Sequence, residues 1–341
     1  MTIHNSVVVD SAKFRPDAVP EVAITSNKFL SDLMKAQPNW WDVGAAKFRE
    51  MALKGETVLP AAVLLPEATA FSIPSREAGR SIPCRVIRPA SNTPPTGIFM
   101  HLHYGGWILG SEEQSDPRLK KYVDATNLMA ISIGYRLAPE NPYPAAPHDC
   151  FDAAEWLIQN GVAEFGAPLK FLGGESAGGH LAMVTAQHLL SHKDPIFSQF
   201  QLKGLVLHFG IFDVSWTPSM FNLKQDPPLV IGLQFMDKCR EATFPDPATN
   251  FKDPSISPLY FNFFDLPAET KLPPTFFTCG TEDVLLDDTI FMSAKWQMAG
   301  GEAIVKIVPG APHGYFDTPE GMYPGTEEVR KEMYQFLRER M

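Results

Sequence analysis

The stretch Gly173-Gly174-Glu175-Ser176-Ala177-Gly178-Gly179 carries the strongest structural signal in this sequence. An apolar run at 169–172 precedes it, and a helix-like run at 180–190 follows it. A G-x-S-x-G pattern between a strand and a helix predicts a sharp turn that lifts a serine hydroxyl above the edge of a sheet. The flanking glycines permit that turn and bring the strand close to the helix. The pattern therefore makes Ser176 a candidate nucleophile.

Strand-like and helix-like patterns alternate along most of the chain. Apolar runs typical of strands occur at 61–65, 82–88, 97–103, 129–133, 169–173, 203–209, 274–279 and 303–308. Patterns typical of helices occur at 117–126, 145–160, 177–191, 287–299 and 325–340. Near-continuous apolar strands separated by helices predict an α/β fold, in which a mostly parallel sheet is covered by helices on both faces.

Two segments fall outside this alternation. Residues 1–60 are helix-like, and residues 213–265 are rich in proline, phenylalanine and aspartate, with an amphipathic piece at 229–240. An insertion this long inside an α/β unit is usually functional or disordered, and its aromatic residues argue against disorder. We expect residues 61–341 to form the catalytic domain, with 1–60 and 213–265 as a cap over the carboxyl edge of the sheet. The alternative is a peripheral decoration that contacts no ligand.

The composition is that of an ordinary globular protein, since 45% of the 341 residues are hydrophobic and 20% are charged. A formal net charge of -10 argues against nucleic acid or an anionic membrane as the main partner. The chain has no run of 18 apolar residues that would span a membrane. The four cysteines are far apart in the sequence, which predicts reduced thiols, with two disulfides as the alternative. With no visible secretory signal, these features favour a soluble, cytoplasmic protein.

A serine nucleophile needs an imidazole to take its proton and a carboxylate to orient that imidazole. In folds with this turn the chain order is serine, then acid, then histidine. Seven of the nine histidines precede Ser176 or lie in the helix directly after it, which leaves His208 and His313. His208 lies inside an apolar strand, where a hydrogen-bonded core histidine is expected. His313 follows the last strand in a Gly/Pro-rich loop, where catalytic groups gather at the carboxyl edge of a parallel sheet. We therefore expect His313 to be the base.

The orienting acid is expected in a strand-end loop between the serine and the histidine. Asp283 lies four residues beyond the 274–279 strand and is our choice, with Glu282 as a competitor. Asp287 and Asp288 are predicted to cap the N-terminus of the next helix, a role that aspartate fills well. Asp213 also follows a strand and is the weaker alternative.

Acyl transfer further needs N–H donors for the developing oxyanion. One donor is expected from Ala177, the residue after the nucleophile, and the others from a glycine-rich loop after an early strand. The segment 103–107, with Gly105 and Gly106, fits that description because glycine lets the backbone turn its N–H groups toward a substrate oxygen. The alternative is a plain tight turn.

Aromatic residues near this loop and in the insertion predict a hydrophobic pocket suited to short or medium acyl chains. The predicted pocket residues are Tyr104, Trp107, Trp216 and Phe221. No cofactor is expected, since no phosphate-binding glycine pattern follows a strand. No metal is expected either, because the H-x-H pair formed by His101 and His103 has no third ligand at a plausible spacing.

Six motifs, in order, resemble those of the hormone-sensitive-lipase-like family of α/β-hydrolases, the family IV esterases. The similarity runs from about residue 60 to the end of the chain. The motifs are His103-Tyr104-Gly105-Gly106-Trp107, Tyr135-Arg136-Leu137-Ala138-Pro139-Glu140, Gly174-Glu175-Ser176-Ala177-Gly178-Gly179, Ser257-Pro258-Leu259, Gly280-Thr281-Glu282-Asp283-Val284-Leu285 and His313-Gly314.

The resemblance implies a serine carboxylesterase with an eight-stranded sheet and a helical cap partly built from the N-terminus. By motif position it assigns Ser176, Asp283 and His313 to a catalytic triad. The backbone N–H groups that it assigns to the oxyanion hole are those of Gly105, Gly106 and Ala177. It also makes a homodimer through the strand at 303–308 plausible.

The sequence departs from the family pattern at two positions. Tyr104 replaces the first of three glycines, and because the second and third are the donors, the oxyanion hole should survive. We expect Tyr104 to narrow or reshape the alcohol side of the site. Glu175 replaces the more usual aspartate before the serine, and we expect it to keep a structural hydrogen bond.

These observations predict hydrolysis of short- to medium-chain carboxylic esters through an acyl-enzyme. Lactone or amide hydrolysis and acyl transfer are alternatives, because the same triad serves them all. A non-enzymatic small-molecule receptor is a further alternative. Plant gibberellin receptors resemble this family and lack the catalytic histidine, whereas His313 is present here.

Overall fold

The computed structural model describes residues 9–58, 61–90, 94–223, 225 and 228–341. An eight-stranded sheet forms its centre, in the strand order β1-β2-β4-β3-β5-β6-β7-β8. The strands are β1 Thr69–Pro74, β2 Ser81–Ile87, β3 Ile98–Leu102, β4 Met129–Ile133, β5 Leu169–Glu175, β6 Gly204–His208, β7 Thr275–Glu282 and β8 Ala303–Pro312. The β1–β2 and β2–β4 pairs are antiparallel and the other pairs are parallel, which confirms the mostly parallel sheet.

Helices cover both faces of the sheet. They are α1 Glu21–Ala36, α2 Trp40–Val43, α3 Ala45–Leu53, α4 Asp116–Thr126, α5 Ala145–Phe165, α6 Ala177–Leu190, α7 Pro195–Ser198, α8 Pro218–Asn222, α9 Leu233–Thr243, α10 Leu286–Met298 and α11 Gly325–Glu339. Side chains alternate along a strand, so Met100 of β3 packs in the core under α5 and α6, while Phe99 packs in the core under α4 and α11.

The prediction that residues 61–65 form the first strand is wrong. These residues have no regular secondary structure, and Val63 and Leu64 are 62% and 48% exposed. The first strand is β1, and it begins at Thr69. Apolar and polar residues are mixed in the sequence of β1, because it is an antiparallel edge strand and most of its residues are exposed. A strand of this kind lacks the continuous apolar run by which buried strands are predicted.

The insertion at 213–265 contains α8 and α9, and its base is attached to α10. Asp288 of α10 accepts hydrogen bonds from the backbone N–H groups of Phe212 (2.6 Å) and Asp213 (2.8 Å) and from the Thr217 hydroxyl (2.7 Å). The expected capping role is therefore wrong. Asp287 and Asp288 lie in the first turn of α10, but their side chains bind the insertion, with Asp287 accepting from the Ser219 N–H.

The N-terminal region divides into two parts with different neighbours. The helix α1 lies against the edge strand β8. The 3-10 helix Ser11–Phe14, which precedes α1, also contacts β8, and its Lys13 ammonium donates to the Ile307 carbonyl at 3.0 Å. Farther along the chain, Trp41 of α2 makes an edge-on ring contact with Phe235 of α9, at 6.2 Å between centroids. The homodimer expected through β8 stays a prediction, and a second copy would have to pack beside this N-terminal segment.

Within the ranges that the structure describes, no helix is long and apolar enough to cross a membrane. The cytoplasmic location stays a prediction. All four cysteines are buried and unpaired with one another, and their reduced state stays a prediction.

Candidate active site

Ser176 lies at the sharp turn between β5 and α6. Its φ of 54° is in a region that residues with a side chain seldom adopt, and its N–H donates to the His208 carbonyl at 2.9 Å. Gly178 makes this turn possible, because a Cβ there would lie 1.9 Å from the Leu102 carbonyl oxygen of β3. The local backbone thus presents the serine hydroxyl at the carboxyl edge of the sheet, as the G-x-S-x-G pattern predicts.

The structure brings Ser176, His313 and Asp283 together. The Ser176 hydroxyl lies 2.9 Å from His313 Nε2, and His313 Nδ1 donates to Asp283 Oδ2 at 2.9 Å. Asp283 Oδ1 accepts the Leu285 N–H at 2.9 Å, which fixes the carboxylate. The Phe209 ring packs edge-on against the imidazole, at 4.8 Å between centroids. All three triad side chains are buried, so their hydrogen bonds are shielded from water.

The competing residues from the sequence lie elsewhere. Asp213 accepts from the Ser215 and Tyr260 hydroxyls, and the Glu282 carboxylate accepts from the Gln225 amide. His208 is fully buried and hydrogen-bonded to the hydroxyls of Tyr122 and Thr278, which confirms a core histidine. Burial lowers the pKa of His208 to about 3, so its imidazole is neutral at ordinary pH.

The loop after β3 places three consecutive residues in left-handed backbone conformations. The φ angles are 125° at Gly105, 60° at Gly106 and 63° at Trp107. A Cβ at Gly105 would lie 2.1 Å from the Leu109 carbonyl oxygen, so this turn requires glycine. Within the part of the chain that the structure describes, the N–H groups of Gly105, Gly106 and Ala177 donate no hydrogen bond to the protein. They are free to bind a substrate oxygen.

The four predicted pocket residues have different surroundings in the structure. Trp107 is buried and donates its indole N–H to His180 Nδ1 at 3.1 Å. Trp216 is also buried and donates to Asp237 at 2.8 Å, whereas Phe221 is 51% exposed. The Arg118 guanidinium lies 5.8 Å from the centroid of the Tyr104 ring. Burial raises the pKa of the Tyr104 phenol to about 12. The role of these four residues as a pocket stays a prediction.

Two residues of α9, Phe235 and Cys239, contact the loop. From the sequence, Phe235 is one of the aromatic residues of the insertion but has no assigned place in the site, and Cys239 has no assigned role. A Cβ at Gly106 would lie 2.8 Å from Cys239 Sγ and 3.6 Å from the Phe235 ring. Both residues belong to the amphipathic piece noted at 229–240, and that amphipathic pattern is the signal that marks α9. The pattern does not reveal which sheet-edge loop the helix covers, because that depends on tertiary packing.

A layer of buried polar side chains lies beneath Ser176. The Glu175 carboxylate, 1% exposed, is 2.9 Å from His101 Nε2 and 2.9 Å from the Arg118 guanidinium. Burial alone would raise the pKa of Glu175, but the Arg118 guanidinium and the interaction with His101 lower it to about 2. Glu175 thus keeps the structural hydrogen bond expected for the residue before the serine.

We expect the stability contributed by ionised Glu175 to depend on pH. Because its folded-state pKa is lowered, that contribution is present above about pH 4.5 and is lost as the pH falls toward 2. Wild type should exceed Glu175→Gln in free energy of unfolding by about 3 kcal/mol more at pH 7 than near pH 2. Urea unfolding of both proteins across this range measures the difference. A difference independent of pH would contradict the ionised state of Glu175.

The side chains of His101 and His103, the H-x-H pair, bind different partners and do not face a common ligand position. His101 bonds with Glu175 and with Ser132 at 2.9 Å, while His103 donates to the Tyr104 carbonyl at 2.8 Å. A separate cluster of Glu155, His188 and His192 lies near the far end of α6, with ligand atoms within 4.8 Å of one another. His192 Nδ1 accepts the Asp194 N–H, so a neutral ring carries its proton on Nε2, which faces Glu155. That tautomer disfavours a metal, since the lone pair points away from the cluster.

The fold and the serine–histidine–aspartate arrangement together define the class of α/β hydrolases. The chain belongs to the alpha/beta hydrolase fold family, whose model matches residues 99–317. The motif resemblance to the hormone-sensitive-lipase-like branch agrees with this match.

Curated proteins and solved structures resemble the chain over most of its length. An AB hydrolase superfamily protein of Schizosaccharomyces pombe is 29% identical, with 87% of this chain and 90% of that protein covered. The carboxylesterase NlhH of Mycobacterium tuberculosis is 26% identical, with 88% and 89% covered. A hyperthermophilic esterase of Pyrobaculum calidifontis has a TM-score of 0.73 at 24% identity, with 87% and 94% covered, and shares the fold.

Proposed function

We propose that this protein is a carboxylic ester hydrolase that works through an acyl-enzyme on Ser176. The observation that carries the proposal is the hydrogen-bonded chain from Ser176 through His313 to Asp283, with both distances at 2.9 Å. The similarity to carboxylesterase NlhH supports an ester as the substrate. The N–H groups of Gly105, Gly106 and Ala177, which donate to no acceptor in the described part of the chain, support the proposal as donors for the oxyanion.

In the proposed mechanism, His313 Nε2 takes the proton of the Ser176 hydroxyl as the oxygen attacks the ester carbonyl. Asp283 holds the Nδ1–H and stabilises the imidazolium that forms. The negative oxygen of the tetrahedral intermediate binds the N–H groups of Gly105, Gly106 and Ala177. His313 then protonates the leaving alcohol, and a water molecule activated by the same imidazole hydrolyses the acyl-enzyme.

We further propose that residues 1–60 and 213–265 act as a cap, with α9 limiting the room beside the oxyanion donors. Phe235 and Cys239 lie against Gly106, and Trp41 packs against Phe235 from the N-terminal side. This arrangement supports short or medium acyl chains, because a long chain would have to displace the partly buried, mutually packed rings of Trp41 and Phe235.

A panel of p-nitrophenyl esters from acetate to palmitate, together with emulsified triglycerides, tests this function. We expect the highest kcat/KM on acetate to octanoate and little turnover of emulsified long-chain triglyceride. Phe235→Ala should raise kcat/KM for octanoate relative to butyrate by roughly tenfold, since a few methylenes gain space. Phe264→Ala, which removes a ring that is 63% exposed, is the matched control. Equal turnover of long-chain triglycerides and short esters would refute the short-chain assignment.

A further inference from the structure

One guanidinium, that of Arg118, enters the polar layer beneath the candidate nucleophile. Arg118 lies on α4, and its side chain is 7% exposed. Its terminal nitrogens reach the Glu175 carboxylate at 2.9 Å, the Asp317 carboxylate at 2.6 Å and the Ser115 hydroxyl at 2.7 Å. Its carbon lies 5.8 Å from the Tyr104 ring centroid, within the range of a cation–π contact.

Three of these four partners, all except Ser115, belong to different parts of the site. Glu175 directly precedes Ser176, and Tyr104 directly precedes Gly105 in the loop of oxyanion donors. Asp317 ends the short 3-10 helix Tyr315–Asp317, which begins two residues after His313. The nucleophile, the base and the oxyanion loop are therefore each one to four residues from a group that Arg118 holds.

We propose that Arg118 is a positioning residue, which sets the relative placement of Ser176, His313 and the oxyanion loop by joining Glu175, Asp317 and Tyr104. The planar guanidinium suits this role because its several N–H groups, fixed in one plane, can bind two carboxylates at once. Arg118 touches no reacting atom, so its effect passes through the backbone of the three segments.

Loss of an ion pair that only stabilises the fold should lower stability without lowering kcat. The helix α4 contributes to such a pair, which serves for comparison. Asp116 of α4 is fully buried and accepts from the Arg85 guanidinium, at 2.8 Å for the shortest contact. Arg85 is 12% exposed and lies on β2, away from the candidate triad loops. Arg85→Met and Arg118→Met therefore both remove a nearly buried guanidinium from a buried carboxylate, and only the second removes a link between parts of the site.

We expect Arg118→Met to lower kcat on p-nitrophenyl butyrate roughly 10- to 100-fold, because misplacement of reacting groups by about 1 Å has an effect of that size. KM should change far less, since binding of the short ester does not depend on the alignment of the triad. Arg85→Met should lower the melting temperature by a similar amount and leave kcat unchanged. Active-site titration with a p-nitrophenyl phosphonate corrects every rate for the fraction of folded enzyme.

The double variant Arg118→Met/Glu175→Gln separates stability from positioning. It leaves no unpaired carboxylate at position 175, so it should recover much of the melting temperature lost in Arg118→Met. Its kcat should stay low, because the links to Asp317 and Tyr104 are still missing. The double variant also provides the comparison if Arg118→Met alone does not fold. Recovery of kcat in step with stability would overturn the positioning role, as would wild-type kcat in either Arg118 variant.

This inference rests on the proposed function, and one further measurement keeps the two apart. Ser176→Ala is assayed beside the Arg118 variants on the same ester. If Ser176→Ala stays active, the proposed triad fails. If Ser176→Ala is inactive and the Arg118→Met enzyme turns over at the wild-type rate, the triad stands and only the role of Arg118 fails.

Discussion

Ser176→Ala is expected to lower kcat for p-nitrophenyl butyrate by about 10⁶-fold, the loss typical when the nucleophile of such a triad is removed. The reason is geometric. His313 Nε2 lies 2.9 Å from this one hydroxyl, so the variant leaves the base without an oxygen to activate. His313→Ala should lose a similar factor, and the double variant little more, because residues that act as a unit are not additive. Steady-state rates of the three variants measure this.

The control for these variants is folding. The Ser176 hydroxyl is buried and small, so its removal should leave the melting temperature close to that of wild type. A p-nitrophenyl phosphonate should label wild type with one adduct on Ser176, found by peptide mass spectrometry, and should not label Ser176→Ala. Unchanged hydrolysis by a well-folded Ser176→Ala would falsify the proposed mechanism.

Most of the fold follows from the sequence because the central strands are buried on both faces. In β3, β4 and β6 every residue is buried, so each strand appears as a near-continuous apolar run of ordinary length that contains one polar residue. The edge strand β1 gives no such run, since most of its residues are exposed. The apolar residues Val63 and Leu64 led to the wrong prediction of a strand at 61–65, although both are exposed. Local composition does not reveal what a segment packs against.

Some residues of the candidate site are also predictable from the sequence, and others are not. Ser176, Asp283 and His313 follow from chain order and from their places at strand ends, both of which are written in the sequence. Arg118 and the α9 residues Phe235 and Cys239 do not. Arg118 lies on a helix whose pattern gives no sign that one of its side chains reaches under the nucleophile, and the contact of α9 with Gly106 depends on how a long insertion folds back.

Gly106→Ala is expected to lower kcat roughly 10²- to 10³-fold, the size of the loss when an oxyanion donor is removed. Two physical causes act together. Alanine is strained at a φ of 60°, and its Cβ would lie 2.8 Å from Cys239 Sγ, so either the loop or the α9 side chain must shift, and the strain favours a shift of the loop. Movement of the loop displaces the N–H groups of Gly105 and Gly106 from the position that the substrate oxygen takes. Steady-state kinetics on p-nitrophenyl butyrate measure the loss in kcat.

The strain and the clash can be separated with two further variants. Gly166→Ala carries the same kind of strain at a φ of 70°, but a Cβ there meets nothing within 4 Å, and the residue lies at the C-terminal end of α5 before β5 begins. It should lose stability by about 1 kcal/mol and keep full kcat. Cys239→Ala, combined with Gly106→Ala, relieves the clash alone. A partial return of kcat in that double variant would show that α9 presses on the oxyanion loop. A normal kcat in Gly106→Ala itself would exclude these N–H groups from the oxyanion hole.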